Sequence, residues 1–276
     1  MEKDFLKQVQ DGERFEFGAN WKAFLKTLSN ERIEMAERSL VEMLSVPLGE
    51  GKTFLDIGCG SGLFSLAARK LGYTVRSFDF DKQSVACTAS LKQRFFPADE
   101  KWTIEEGSVL NNAFLNGLGK FDVVYSWGVL HHTGQVWTAL ENVAPLVNEG
   151  GKLFIAIYND QGLRSKIWSF VKRSYNANSF ARLLVKAIFI PYFIITSFCY
   201  DILSFKNPLH RYREYKRLRG MSITTDWIDW LGGYPFEVAQ PNQVIGLYTK
   251  HGFTLDKSKT TKRLGCNEFV FVKKLN

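Results

Sequence analysis

Between Leu55 and Gly62 the chain reads Leu-Asp-Ile-Gly-Cys-Gly-Ser-Gly, with glycine at positions 58, 60 and 62 directly after an apolar run. Glycine at alternate positions lets a backbone turn sharply and lets a ligand approach main-chain atoms with no Cβ in the way. Where such a turn opens a helix, the free amides of the first turn attract an anionic group. The spacing narrows the choice of ligand. A dinucleotide fingerprint places glycines first, third and sixth, but Leu63 holds the sixth position counted from Gly58. A nucleoside-triphosphate loop needs a Gly-Lys-Ser/Thr run, and none follows.

Two other sets could move protons. His131 and His132 lie in the loop after the predicted strand Phe121–Ser126, and histidine exchanges a proton near neutral pH. The competing reading is that they cap the next helix or fix a loop. The stretch Asp226–Glu237 is dense in aromatics and acids. On a helix Asp226 and Asp229 share one face, and Trp227 and Trp230 share another. Such a run could wall an acceptor pocket, with Asp229 as a carboxylate base or an anchor for an amine. Alternatively, the tryptophans are core anchors and the acids are solvated. The pocket reading is preferred because a Gly-Gly turn and a Tyr-Pro step follow at Gly232–Pro235. Cys59 reads as a small packing residue, and Asp122 as the tether of a neighbouring turn. Cys59, Cys87, Cys199 and Cys266 lack paired spacing, which predicts neither a disulfide framework nor a metal centre.

These residues need a scaffold. Trp21, Phe24, Leu25 and Leu28, then Ile33 to Leu44, recur at helical steps. From Thr53 the pattern becomes strands alternating with amphipathic helices, which defines an α/β fold with a parallel sheet. Strands are predicted at Thr53–Ile57, Thr74–Asp79, Trp102–Glu106, Phe121–Ser126 and Gly151–Tyr158, with helices between them. Apart from Asp122 at its start, Phe121–Tyr125 is apolar, and Leu153–Ile157 is continuously so, as strands covered on both faces should be. After a helical stretch at Gln161–Gly220 come a helix at Pro241–His251 and two final strands, Phe253–Thr260 and Asn267–Lys273.

With these motifs in order, the chain resembles the class I S-adenosylmethionine-dependent methyltransferases, whose first motif is Asp-x-Gly-x-Gly-x-Gly. The fourth-motif stretch, Phe121 to His132, is similar to the quinone-type O-methyltransferase branch. The resemblance covers about Thr53 to Tyr158 and the last two strands. It implies a Rossmann-like sheet, mostly parallel with one antiparallel strand, with helices on both faces. It also implies S-adenosylmethionine as cofactor, held by Asp56, Gly58, Cys59, Gly60 and Gly62 of the loop. Asp79, with Phe80 beside it, would take the ribose hydroxyls, and Ser108 and Val109 would line the adenine. Ser126 and Trp127 would border the cofactor after strand 4. Phe17 and Trp21 fit a cap over the methionine end, where a sulfonium favours an aromatic face, or they simply seat the first helix on the sheet. The resemblance sets His131 and His132 near the reactive methyl group.

The net charge of +8 is unevenly spread: residues 160–220 hold 12 Lys/Arg against three Asp/Glu, and the remainder is near neutral. Ala187–Tyr200 within that segment is uncharged and contains Pro191, too short and too interrupted to span a bilayer. A lid over the acceptor site is the preferred reading; a dimer contact and an in-plane membrane helix with basic flanks are the others. The basic cluster Arg211–Arg219 would suit an acidic headgroup, a phosphorylated substrate or RNA, or would simply be solvated. The expected organisation is therefore a helical cap (1–50), a cofactor core (51–159), a basic helical insertion (160–220) and an acceptor segment with the last strands (221–276). The expected activity is methyl transfer to a small-molecule acceptor, at oxygen. The rivals are an RNA methyltransferase, disfavoured because no RNA-binding module is appended, and a cofactor-binding protein without catalysis. Met1–Gly12 has no apolar signal region, so a cytoplasmic protein is expected; its oligomeric state is left open.

Overall fold

The computed structural model describes residues 5–46, 48–208 and 223–275. The cluster Arg211–Arg219 lies outside them. Three helices come first: α1 (Phe5–Gln10), α2 (Gly18–Leu25) and α3 (Asn30–Leu44). The alternating core follows as β1 (Thr53–Ile57), α4 (Leu63–Lys70), β2 (Thr74–Asp79), α5 (Lys82–Phe95) and β3 (Trp102–Glu106). It continues as α6 (Asn112–Asn116), β4 (Phe121–Trp127), α7 (Val136–Val143) and β5 (Val147–Tyr158). Two long helices, α8 (Leu163–Ala177) and α9 (Ser179–Leu203), precede α10 (Ile223–Gly232), α11 (Pro241–Lys250), β6 (Phe253–Lys259) and β7 (Cys266–Lys273).

The strands form one sheet in the order β3-β2-β1-β4-β5-β7-β6. Pairings from β3 through β5 are parallel, and β7 runs antiparallel to both of its neighbours. This is the expected Rossmann-like sheet. Successive residues of each strand enter opposite layers. Leu55, Ile57, Val124, Leu153 and Ile155 pack with α7 and α11, while Phe54, Val75, Val123, Tyr125 and Phe154 pack with α3, α4 and α5. The strand order reverses between β1 and β4, and ligands of such sheets bind at the strand ends beside that switch.

Three details depart from expectation. Strand β5 starts four residues early, because Gly150 and Gly151 form a bulge between the Phe121↔Val147 and Val123↔Lys152 pairs instead of a turn ahead of the strand. Pro191 does not end its helix. Losing one amide costs a single helical hydrogen bond, and α9 runs through it for 25 residues from a firm start, where Asn178 Oδ1 accepts the Ala181 amide at 2.8 Å. By length and composition α9 is thus apolar enough to cross a membrane, unlike the 14-residue run read from sequence. The third concerns how α9 packs. Val185, Phe189 and Phe193 pack against α8 and α10, but most other apolar side chains of α9 are exposed, so the helix buries only one stripe.

Candidate active site

The loop after β1 is built on backbone freedom. Gly58, Gly60 and Gly62 all have positive φ, at 75°, 54° and 81°, where a Cβ is disfavoured. The amides of Gly58 and Cys59 both donate to the Phe78 carbonyl, at 2.8 and 3.1 Å, which binds the loop to the end of β2. There, half-buried Asp79 accepts the Gly60 amide on Oδ2 and the Asp81 amide on Oδ1, each at 2.9 Å. Burial pushes its carboxyl up to about 6, opposed by those two amides.

Asp56 lies beneath the loop. It is buried and accepts the Ser65 hydroxyl, which in turn pairs with Ser77 at 2.7 Å, and Ser77 takes the Trp102 indole N–H at 2.9 Å. It shapes the loop from below. Cys59 is buried, takes the Thr88 hydroxyl at 3.2 Å, and has its thiol pushed well up by burial, so it is an unreactive packing group. Ser108 and Val109 are buried beyond β3, where Ser108 Oγ accepts the Leu110 amide at 3.2 Å. Ser126 is buried and its hydroxyl donates to the Ile57 carbonyl at 3.1 Å. Trp127 is exposed, its indole donating to Glu268 at 3.1 Å. Asp122 accepts both the amide and the hydroxyl of Thr53 at 2.8 Å, tethering the start of β1.

The N-terminal segment lies over this edge. A Cβ on Gly60 would stand 3.0 Å from the Trp21 indole, and a Cβ on Gly18 would strike Asp81 and Gln83. Arg14, which the sequence did not single out, fastens the segment. Its guanidinium donates to the carbonyls of His132 and Thr133 at 2.7 and 3.3 Å and covers the Phe80 ring at 5.4 Å.

Beyond the ends of β4 and β5 lies a second polar group in an aromatic setting. His131 and His132 stand on a short 3-10 turn, Leu130–His132. His131 is fully buried, lies 4.0 Å from the Tyr158 ring, and accepts the Tyr158 amide on Nδ1 at 3.3 Å. Its Nε2 is buried with no hydrogen-bond partner among the described residues. His132 donates from Nδ1 to the Pro235 carbonyl at 2.5 Å, and its ring lies 5.1 Å from Phe17. Burial pushes His131 well below the ordinary range and His132 down to about 3. Both imidazoles are therefore neutral at physiological pH.

Asp229 of α10 accepts the side-chain amide of Asn20 from α2, joining the N-terminal segment to this cluster. Burial pushes its carboxyl up to about 7, with Asp226 adding to the shift and Lys172 opposing it. Lys172 is a second residue that sequence reading missed. It is fully buried on α8, donates to the Trp230 carbonyl, and lies 4.1 and 4.9 Å from the ring centroids of Trp230 and Phe236. Burial pushes it down to about 7, with Asp229 opposing the shift. Histidines, carboxylate and lysine thus share one cluster, walled by Tyr158, Trp230 and Phe236.

The sheet order, the glycine loop and the acid at the tip of β2 define a Rossmann-like methyltransferase. Residues 29–198 match the family described as "Methyltransferase domain", and the chain belongs to that family. It is similar to a ubiquinone biosynthesis O-methyltransferase of Caulobacter vibrioides, 32% identical over 116 residues, covering 40% of this chain and 42% of that protein. It is also similar to an uncharacterized methyltransferase of Mycobacterium tuberculosis, 34% identical over 124 residues, covering 45% of this chain and 58% of the relative. The match thus spans less than two thirds of either relative. Among solved structures, the magnesium protoporphyrin IX methyltransferase of Synechocystis with bound S-adenosylmethionine shares the fold. Its TM-score is 0.51 at 12% identity, over 88% of this chain and 79% of that one.

S-adenosylmethionine is the cofactor of this class, and the residues present fit it. Each Asp79 oxygen spends one lone pair on a backbone amide and retains another for a ribose hydroxyl. The loop has no Cβ at its three glycines, and the Trp21 indole beside Gly60 offers an aromatic face for a sulfonium.

Proposed function

We propose that this protein transfers the methyl group of S-adenosylmethionine to an oxygen of a small-molecule acceptor bound among Asp229, Lys172, Tyr158 and Trp230. The observation that carries this reading is the joining of two sites by one segment. Trp21 of α2 rests on the cofactor loop, while Asn20 beside it is bonded to Asp229. The cofactor, when bound, supplies an already activated methyl on a positively charged sulfur.

The chain's own task is to orient the acceptor and remove its proton. Asp229, with its carboxyl near neutrality, suits that base role. His131 suits it less: with Nδ1 accepting from Tyr158, the neutral ring carries its proton on Nε2. That makes His131 a donor toward an acceptor oxygen, and His132, tied to Pro235, a positioning residue. Aromatic walls suit a planar acceptor. Oxygen as the target is supported by the O-methyltransferase relative. A cytoplasmic setting and the absence of a nucleic-acid substrate belong to the same reading. The test is incubation of the protein with methyl-labelled S-adenosylmethionine and a cell extract, followed by mass spectrometry. A small product with one labelled methyl on oxygen is expected. Label in RNA, or no transfer, would contradict the proposal.

A further inference from the structure

Helix α8 has two different faces. Ser165, Lys172, Tyr175 and Asn176 are buried against the protein, whereas Leu163 and Phe170 are 73% and 71% exposed, with Ile167 exposed between them. Helix α9 repeats the division. Val185, Phe189 and Phe193 face Trp168 and the α10 residue Trp227, while Phe180, Leu184, Ile188, Ile195 and Phe198 are exposed. Isolated exposed apolar side chains are ordinary, but a set this large on two adjacent helices marks an interaction surface.

The charge around that surface selects the partner. Arg164, Lys166, Arg173 and Arg182 are exposed along the same two helices, and the one acid within them, Asp201, is buried. A second copy of the chain would set these cations against themselves. An anionic bilayer satisfies both halves, taking the apolar side chains below its headgroups and the cations among them. We propose that the α8–α9 hairpin docks the protein on an anionic lipid surface, with α9 in the plane of the interface. A spanning orientation would strip Val185, Phe189 and Phe193 from their partners and draw Arg182 and Lys186 toward hydrocarbon. Because Lys172 lies on the inner face of α8, docking sets the aromatic cluster beside the bilayer. The inference stands without the methyl-transfer reading.

The experiment is co-sedimentation of the full chain with phosphatidylcholine vesicles, with and without phosphatidylglycerol. Binding is expected with phosphatidylglycerol, weakening several-fold between about 0.05 M and about 0.5 M salt. The triple variant Leu184→Glu, Ile188→Glu, Ile195→Glu should bind at least about tenfold more weakly. These side chains are exposed, so circular dichroism should report an intact fold, and calorimetry with S-adenosylmethionine reads the cofactor site separately. No binding at low salt, or equal binding by a triple variant with native dichroism, overturns the proposal. So does resistance to carbonate extraction, the mark of a span. A sedimentation-velocity dimer broken by the triple variant would assign the face to a second copy instead.

Discussion

The Trp21 indole lies on the backbone of Gly60, so close that a Cβ there would stand 3.0 Å from its Nε1 and Cε2. Gly60 also holds φ at 54°, a conformation that costs other L-residues about 1–2 kcal/mol. Gly60→Ala should therefore lower stability by at least about 1 kcal/mol in denaturant unfolding. Trp21→Ala in the same chain should restore the steric part and leave the backbone part. A double-mutant cycle separates the two, and strictly additive effects would show that the indole does not rest on the loop.

Asp229 and His131 compete for the role of base. With Asp229 in that role, Asp229→Asn should lower the rate of transfer about 10²- to 10⁴-fold at saturating donor. His131→Asn, which removes a donor and a packed ring, should cost less in rate and leave donor affinity unchanged. Single-turnover rates on the acceptor found by labelled transfer decide the matter. A larger loss for His131→Asn would reverse the assignment.

The buried pair Lys172 and Asp229 gives stability a distinctive pH profile. Lys172 is lowered to about 7 in the folded protein, so between about 7 and about 10.4 the unfolded chain binds more protons and stability rises with pH. Asp229 is raised to about 7, so its contribution is full below about 4 and is lost as pH rises toward 7. Lys172→Met should flatten the alkaline rise in Tm relative to the parent chain, and Asp229→Asn should flatten the acid-side fall. Parallel Tm profiles for the parent and both variants would contradict this account.

The cofactor side of the site was legible because its signals are local. Glycine spacing after an apolar strand and an acid at a strand end need no tertiary knowledge, and the structure sets Gly60 and Asp79 in contact. The proposed acceptor side was legible only in part. Asp229 was found through its aromatic neighbours, but Lys172 was not, since lysine is ordinarily a surface residue. Its burial depends on α8 meeting α10. The available signal was its position four residues after Trp168 and between Val171 and Tyr175, on an apolar helical stripe. Arg14 carried no pattern, because its partners, the carbonyls of His132 and Thr133, lie more than a hundred residues away in sequence. The packing of α9 was legible only in part, for a related reason. An apolar run announces burial but not what it is buried against, and among the described residues the buried stripe of α9 packs with α8 and α10.

Asp79 is the most direct point of test, since the account places the ribose of the methyl donor on its carboxylate. Calorimetric titration of S-adenosylmethionine should give one saturable site in the parent protein. Asp79→Ala, which removes charge-assisted hydrogen bonds, should weaken it by about 1.5–3 kcal/mol, or roughly 10- to 150-fold. Unchanged affinity in a folded Asp79→Ala variant, or tight binding of a nicotinamide dinucleotide in place of S-adenosylmethionine, would contradict the account.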